Sequence, residues 1–495
     1  MDLISETMEL RRELPVVMGN VDYRTFEEQL VRIDELLRMS GAEEAFIGRC
    51  VEAWAGERGR KIRAREQRRY QRMCQLALRC NIARRLTESE YRKFTRRLAE
   101  SELLRWFCRI ERLDVVHVPS KSALQRYEAL APEAKVRELV NDLSRQAAQP
   151  RTRKGQPLGL AESAGIELYF ADTTCLKANI HFPVDWVLLR DAVRTLMKGL
   201  VLIRRQGLKH RMEEPSEFLR RMNALAIGMT QSARRSGSRR ERKRILRQMK
   251  RLSRVIGRHA QRYVKLLQQR WPETEWTEGQ ARCVWQRLEG VLEKLPEAIR
   301  QAHERIIGGR LVPNDRKMLS LYEGELHVIV RGKANAEVEF GNTLFVGEQN
   351  DGLVVDWKLL RDHSPGDARL LEESLARMNV VFDRDPDAVG TDRGFDRSLT
   401  REYLESRDIL NGICARSPER LREQRQDEAF EGLQRRRSQT EGRIGILQNE
   451  FLGRPLRSKG FEARELAVAW AVLAHNLWVI ARLPQAAAAR KKKAA

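Results

Sequence analysis

Residues 166–180, IELYFADTTCLKANI, are the stretch on which the fold turns. They are rich in β-formers and follow a long helical region. Ile166, Leu168 and Phe170 alternate on one face of the predicted strand, and Asp172 falls on that same face at its end. Pro183 closes the segment. The β pattern returns only after Pro313, in 326–331 (LHVIVR), 342–347 (NTLFVG) and 353–357 (LVVDW), parted by Gly and Asn turns. HSPGD at 363–367 caps a helix over 368–378. DAVGT at 387–391 reads as a short buried strand and ILNGICA at 409–415 as the last one. Strands joined in this order through helices predict an α/β domain with a mixed sheet, interrupted by a long helical block.

That block, 184–310, reads as helix almost throughout. Within it, 231–265 holds fourteen Lys and Arg against one acid, Glu241. It is still patterned: Ile245, Met249, Leu252, Ile256, Tyr263 and Leu267 form an apolar stripe at helical spacing. The turn WPETEWTEG at 271–279 and a returning stripe of Val284, Leu288, Val291 and Leu295 predict an antiparallel helical hairpin. Its cationic exterior repels itself and favours an anionic partner.

Upstream, 1–44 is weakly patterned and 45–148 is helical and dense in arginine. His117-Val118-Pro119 breaks the pattern, and Ser120 can cap a new helix offering Lys121, Ser122 and Gln125. This corner is helix-turn-helix-like, so a DNA-reading role is expected there. The expected organisation is an unassigned segment 1–44, a helical DNA-binding domain 45–148 and a Pro/Gly-rich linker 149–160. The α/β domain follows in two parts, 161–183 and 313–485, around the basic helical insertion 184–312; a basic tail, 486–495, ends the chain.

The whole chain of 495 residues has a net charge of +24, yet 42% of it is hydrophobic, so it is no disordered basic tail. A polyanion is the expected partner. Seven scattered cysteines without a CxxC disfavour a disulfide framework or a zinc site and suit a reducing cytoplasm. The N-terminus has no signal-peptide pattern. The longest apolar run, 466–481, is too short for a span and contains His475 and Asn476, so it is expected to be a buried core helix. Nucleic acid is therefore preferred over membrane, with a nucleoid-associated location.

Three acids occupy special places: Asp172 at a strand end, Asp392 directly after the strand 387–391, and Glu441 in LQRRRSQTEGRIGILQNEFLGRP, 433–455. The last stretch reads as a helix on which Arg437, Glu441, Ile444 and Gln448 share a face. Taken singly, Asp172 and Asp392 could be turn formers and Glu441 a surface salt-bridge partner. Together, three carboxylates at one sheet edge suit Mg²⁺ or Mn²⁺, and two such ions can drive in-line phosphoryl transfer. No GxxxxGK[ST], G-x-S-x-G or HExxH motif offers another chemistry.

The segments IELYFADTTCLKANIHFPVDW, SPGDARLL, DAVGTDRGF, LQRRRSQTEGRIGILQNEFLGRPL and VAWAVLAHNLWVIARL resemble bacterial insertion-sequence DDE transposases, over roughly 100–485 and most like the ISNCY-like branch. The resemblance implies a ribonuclease-H-like mixed sheet flanked by helices, with a metal-binding catalytic triad at Asp172, Asp392 and Glu441 holding two Mg²⁺ or Mn²⁺ ions. It implies DNA element ends and target DNA as partners, in a homodimer or larger synaptic complex. Arg437 and Glu441 match the family pattern Y-x2-R-x3-E-x6-K, while Gln434 replaces the Tyr and Gln448 the Lys that contacts terminal DNA. Arg443 and Arg454 are candidates to compensate, and Arg331 and Lys333 resemble the family's β-turn contacts. Two other readings stay open: a non-catalytic DNA-binding derivative, and a metal nuclease without strand transfer.

Overall fold

The computed structural model describes residues 14, 16–58, 63–110, 115–153, 155–333 and 336–485; for 57–58, 331–333 and 336–337 it describes the backbone alone. The chain opens with seven helices: α1 (Val21–Met39), α2 (Ala42–Arg58), α3 (Ala64–Leu86), α4 (Tyr91–Glu100), α5 (Glu102–Phe107), α6 (Lys121–Glu128) and α7 (Glu133–Ala148). Strand β1 (Leu168–Lys177) follows, then α8 (Asp185–Arg205), α9 (Pro215–Ala233), α10 (Arg239–Arg270) and α11 (Glu278–Ala302). Next come β2 (His327–Lys333), β3 (Ala336–Gln349), β4 (Val354–Leu359), α12 (Asp367–Phe382), β5 (Ala388–Thr391), α13 (Ser398–Glu405) and β6 (Leu410–Ile413). Helices α14 (Pro418–Gln424), α15 (Glu428–Ile446) and α16 (Phe461–Arg482) complete the described chain.

The protein is mixed α/β, with a mixed sheet flanked by helices. The six strands run in the order β2-β3-β1-β5-β6, and β4 pairs with β3. β1, β5 and β6 are parallel neighbours, whereas β2 and β4 each pair antiparallel with β3. The short parallel strands are buried along most of their length, as sheets covered on both faces require.

Two compact units result. One comprises the chain up to Leu176, Thr343–Leu360 and the residues from Ser364 onward; the other is Lys177–Asn342 with Arg361–His363. In the first unit, the N-terminal helices share one hydrophobic core with the sheet and α16. Helix α3 explains part of the arginine density. Arg79 is fully buried and donates to Asp34, to Glu43 and to the Phe107 carbonyl, while Arg84 and Arg85 both pair with buried Glu128. These arginines are internal struts. They are buried only because each meets a carboxylate. Ser120 caps α6 as its sequence suggests, accepting from the Ala123 amide.

Helix α16 is the core helix that 466–481 predicts. Among the described residues no helix is long and apolar enough to cross a membrane. Its polar side chains are spent on neighbours: the Asn476 amide bonds both the N–H and the carbonyl of Val354, pinning β4. His475 is buried against Phe451 and Trp478, and burial pushes its pKa down to about 4. Between about pH 4 and 6.5 the unfolded chain thus binds the proton more tightly than the folded one. Stability is present above pH 6.5 and is lost as pH falls through 4, by about 3 kcal/mol for this group. Urea melts at pH 7 and pH 4.5 should show a drop that His475→Gln reduces; an equal drop in both proteins would remove His475 as the cause.

The second unit is built on α8, α9, α10 and α11. Leu189, Val193, Leu196, Met249, Ile256, Leu267, Leu288 and Leu295 meet in its core. Thr277 and Gln280 form a reciprocal capping box that starts α11. Gly199 sits where an added Cβ would come 2.5 Å from the Leu288 side chain, so its missing side chain is what lets α8 and α11 approach.

Candidate active site

β1 and β5 are in register with Leu168 opposite Ala388, Tyr169 opposite Val389 and Phe170 opposite Gly390. Carried two residues past the last paired positions of the two strands, this register sets Asp172 level with Asp392, and Asp172 feels the charge of Asp392. Period-two alternation then sets both acids on the face that carries Phe170 and Gly390. Asp172 does not end its strand, as the sequence suggests; β1 continues to Lys177, and it is β5 that stops at Thr391. The chain leaves β5 in a tight turn, where the Asp392 carboxylate accepts from the Gly394 amide at 2.8 Å.

Helix α15 covers this face. Asp427 caps its start, accepting from the Ala429 amide. Leu433 packs with Phe170 and Ala388. Close approach depends on two glycines. A Cβ on Gly390 would lie 2.8 Å from the Phe170 ring, and one on Gly412 would lie 2.7 Å from both Leu433 and the Val389 carbonyl. Gln434 donates to the carbonyls of Thr391 and Gly412. Arg436 stacks over the Phe170 ring at 4.7 Å and donates to Glu348, near the end of β3, at 3.0 Å. Thr440 donates to the same carboxylate at 2.8 Å. The helix thus crosses from β6 and β5, over β1, to β3. Arg437 and Glu441 follow Leu433 at successive turns of one face.

The acids sense one another electrostatically. Asp172 is pushed up to about 6, first by burial, then by the neighbouring Asp392 and, more weakly, by Glu441; the Thr173 amide and Arg437 oppose the shift. Glu441 is exposed, and Arg437 is half-buried with its Nε bonded to Gln434 Oε1 at 2.9 Å. No Lys or Arg side chain bonds Asp172, Asp392 or Glu441 among the described residues. Their donors are all carboxylate oxygens, which suits a hard divalent cation. Among the described residues, however, no three His, Cys, Asp or Glu side chains gather closely enough to form a ready metal-holding group. Asp172 and Asp392 come from neighbouring strands and Glu441 from α15, whose charge Asp172 feels more weakly than that of Asp392.

Other expected site residues separate into inward and outward groups. After Ile446 the helix widens into a π-helical segment, Leu447–Leu452. Gln448, four residues beyond buried Ile444, points onto β1 just past Asp172, where it donates to Thr174 Oγ1 at 3.0 Å and the Cys175 carbonyl at 3.2 Å. Gln448 is buried, so it does not offer the DNA contact expected of its position. Arg443 is also a strut: it donates to the Asp351 carbonyl at 2.9 Å and lies over Gly352, where a Cβ would collide with its guanidinium. Arg454 and Lys121 are exposed. The side chains of Arg331 and Lys333 lie outside the described residues.

Sequence reasoning missed the Arg436–Glu348 anchor and a fourth acid. Asp367, in the first turn of α12, and Asp392 place carboxylate oxygens 3.1 Å and 2.9 Å from the point where a Gly394 Cβ would stand. Only the HSPGD cap hinted at Asp367. The chain matches no protein-family model, no curated protein and no solved structure.

Proposed function

We propose that this chain is a DDE-type transposase with a ribonuclease-H-like catalytic domain, binding DNA ends and carrying out metal-dependent strand cleavage and strand transfer. The observation that carries the reading is the register of β1 and β5, which aligns Asp172 with Asp392 beneath a helix bearing Arg437 and Glu441. The raised Asp172 pKa supports it, because an uncompensated acid pair is what a divalent cation relieves. Two Mg²⁺ or Mn²⁺ ions held by Asp172, Asp392 and Glu441 would supply Lewis-acid activation of water or a DNA 3′-hydroxyl and stabilise the leaving oxygen. The chain's own part is to align the carboxylates through the sheet and to place Arg437 and exposed Arg454 beside phosphates. A homodimer or larger assembly would pair two DNA ends.

The test is joining. The protein is incubated with Mg²⁺, a labelled element end and a target plasmid. Joined product supports transposition; cleavage without joining supports a nuclease. One observation favours a second reading, a non-catalytic DNA-binding derivative: the three acids do not gather into a ready metal-holding group. Binding of the labelled end with neither cleavage nor joining would establish it.

A further inference from the structure

On α10, Arg240, Arg244, Arg247, Arg251, Arg254 and Arg258 follow one another at steps of four, three, four, three and four, and all are exposed. Steps alternating between three and four keep residues on one line of a helix. The six guanidinium groups therefore form a nearly straight row about 27 Å long. The opposite side of the helix, through Ile245, Met249, Ile256 and Tyr263, is buried in its unit's core, so the row rests on a rigid support.

None of the six has a carboxylate partner among the described residues. Their neighbours within the same unit differ. Arg220 pairs with Glu217, Arg282 with Glu278 and Arg300 with Glu297, each on its own helix. Even Arg270, at the end of α10, pairs with Glu273. The row also acts on its surroundings: burial first, then Arg254 and Arg247, depress the Lys250 pKa. Concentrated like charge on one line costs folding energy unless a polyanion neutralises it.

The surroundings of the row select among polyanions. A bilayer-binding helix needs an apolar face free to insert, and the apolar face of α10 is already covered. A single-strand binder needs exposed aromatic platforms, and α10 exposes none: its one tyrosine, Tyr263, is buried. A compact anion needs converging donors, not a straight row. We infer that the row on α10 is a docking rail for the phosphate backbone of duplex DNA, read without regard to sequence. The choice of DNA over duplex RNA rests on the proposed function; the choice of a duplex phosphate backbone does not.

The experiment is fluorescence anisotropy of the full chain, without Mg²⁺, on a labelled 30-base-pair duplex of arbitrary sequence across a KCl series. Each phosphate contact contributes about 0.9 to the slope of log K against log salt. The quadruple variant Arg244→Gln, Arg247→Gln, Arg251→Gln, Arg254→Gln should lower that slope by about 3 and weaken binding at least about tenfold near 0.1 M salt. A charge-matched control, Arg220→Gln, Arg270→Gln, Arg282→Gln, Arg300→Gln, should leave the slope unchanged. Circular dichroism and a thermal melt confirm that both variants fold. An unchanged slope in the first variant, an equal fall in both, or a loss confined to single strands or phosphatidylserine vesicles would overturn the inference. Cleavage and joining by the parent protein in Mg²⁺ are read in a separate assay, so a protein that binds duplex without cleaving overturns the catalytic reading and leaves the rail standing, while a cleaving protein whose slope the quadruple variant leaves unmoved overturns the rail alone.

Discussion

Asp172→Asn should give a protein that is more stable than the parent near pH 8 and inactive in strand cleavage. The sign follows from the raised pKa. Between about pH 3.8 and 6 the folded chain binds this proton more tightly than the unfolded chain. The associated stability is fully present below 3.8 and lost as pH rises through 6. At pH 8 the buried carboxylate is charged beside Asp392, and a neutral amide removes the penalty, worth about 3 kcal/mol and a Tm rise of a few degrees. Mg²⁺ should raise the Tm of the parent protein by binding the folded state and leave the variant unmoved. Cleavage should fall by roughly 10³-fold or more, since several kcal/mol of charge stabilisation are lost. Thermal melts at pH 5 and pH 8, with and without Mg²⁺, read the first two effects. A variant that cleaves like the parent would remove Asp172 from the site, and one no more stable at pH 8 would show that the acid is unstrained.

The second large effect is structural. Arg436→Met should destabilise the protein by about 3–5 kcal/mol, because it strands a buried carboxylate. The Glu348 side chain is 2% exposed and lies 3.0 Å from Arg436; Arg443 is more distant, at 3.7 Å. The stacking of Arg436 on Phe170 is lost as well, worth about 0.5–2 kcal/mol. Since Arg436 fastens the middle of α15 to β3, DNA cleavage should decline with stability. Adding Glu348→Gln should restore at least half of the loss in urea melts, because the stranded charge is gone. A single-variant cost below 1 kcal/mol would mean that Arg436 is not the main fastening of α15.

The strands were legible because their patterns are local. Alternation in 166–170 and the short runs DAVGT and ILNGICA fall on β1, β5 and β6, and the observed element order is the one those runs imply. The alignment of Asp172 with Asp392 was legible only as two acids near strand ends; the register that levels them is a long-range property. Gln448 shows the opposite limit. Its place on the helix face was legible, but its burial was not, because the groups it bonds, Thr174 and Cys175, lie on β1 far away in sequence. Arg79, Arg84 and Arg85 show a third. Charge density in sequence reads as surface, but each of these arginines meets a carboxylate from a distant helix, and partners that far apart in sequence leave no local trace.

The interruption between β1 and β3 has a kinetic side. Leu176 and Thr343 belong to the same unit although the whole Lys177–Asn342 segment lies between them. Were that segment a flexible loop, closing it would precede any pairing of the sheet's two halves. Its helices α8 to α11 pack on one another within the segment, over separations shorter than the one between Leu176 and Thr343. Once they have condensed, the stretch to be closed behaves as a tether of a few tens of residues, which lowers the closure entropy by about 2 kcal/mol. An insertion that condenses first would thereby bring the two halves of the discontinuous domain within reach of each other.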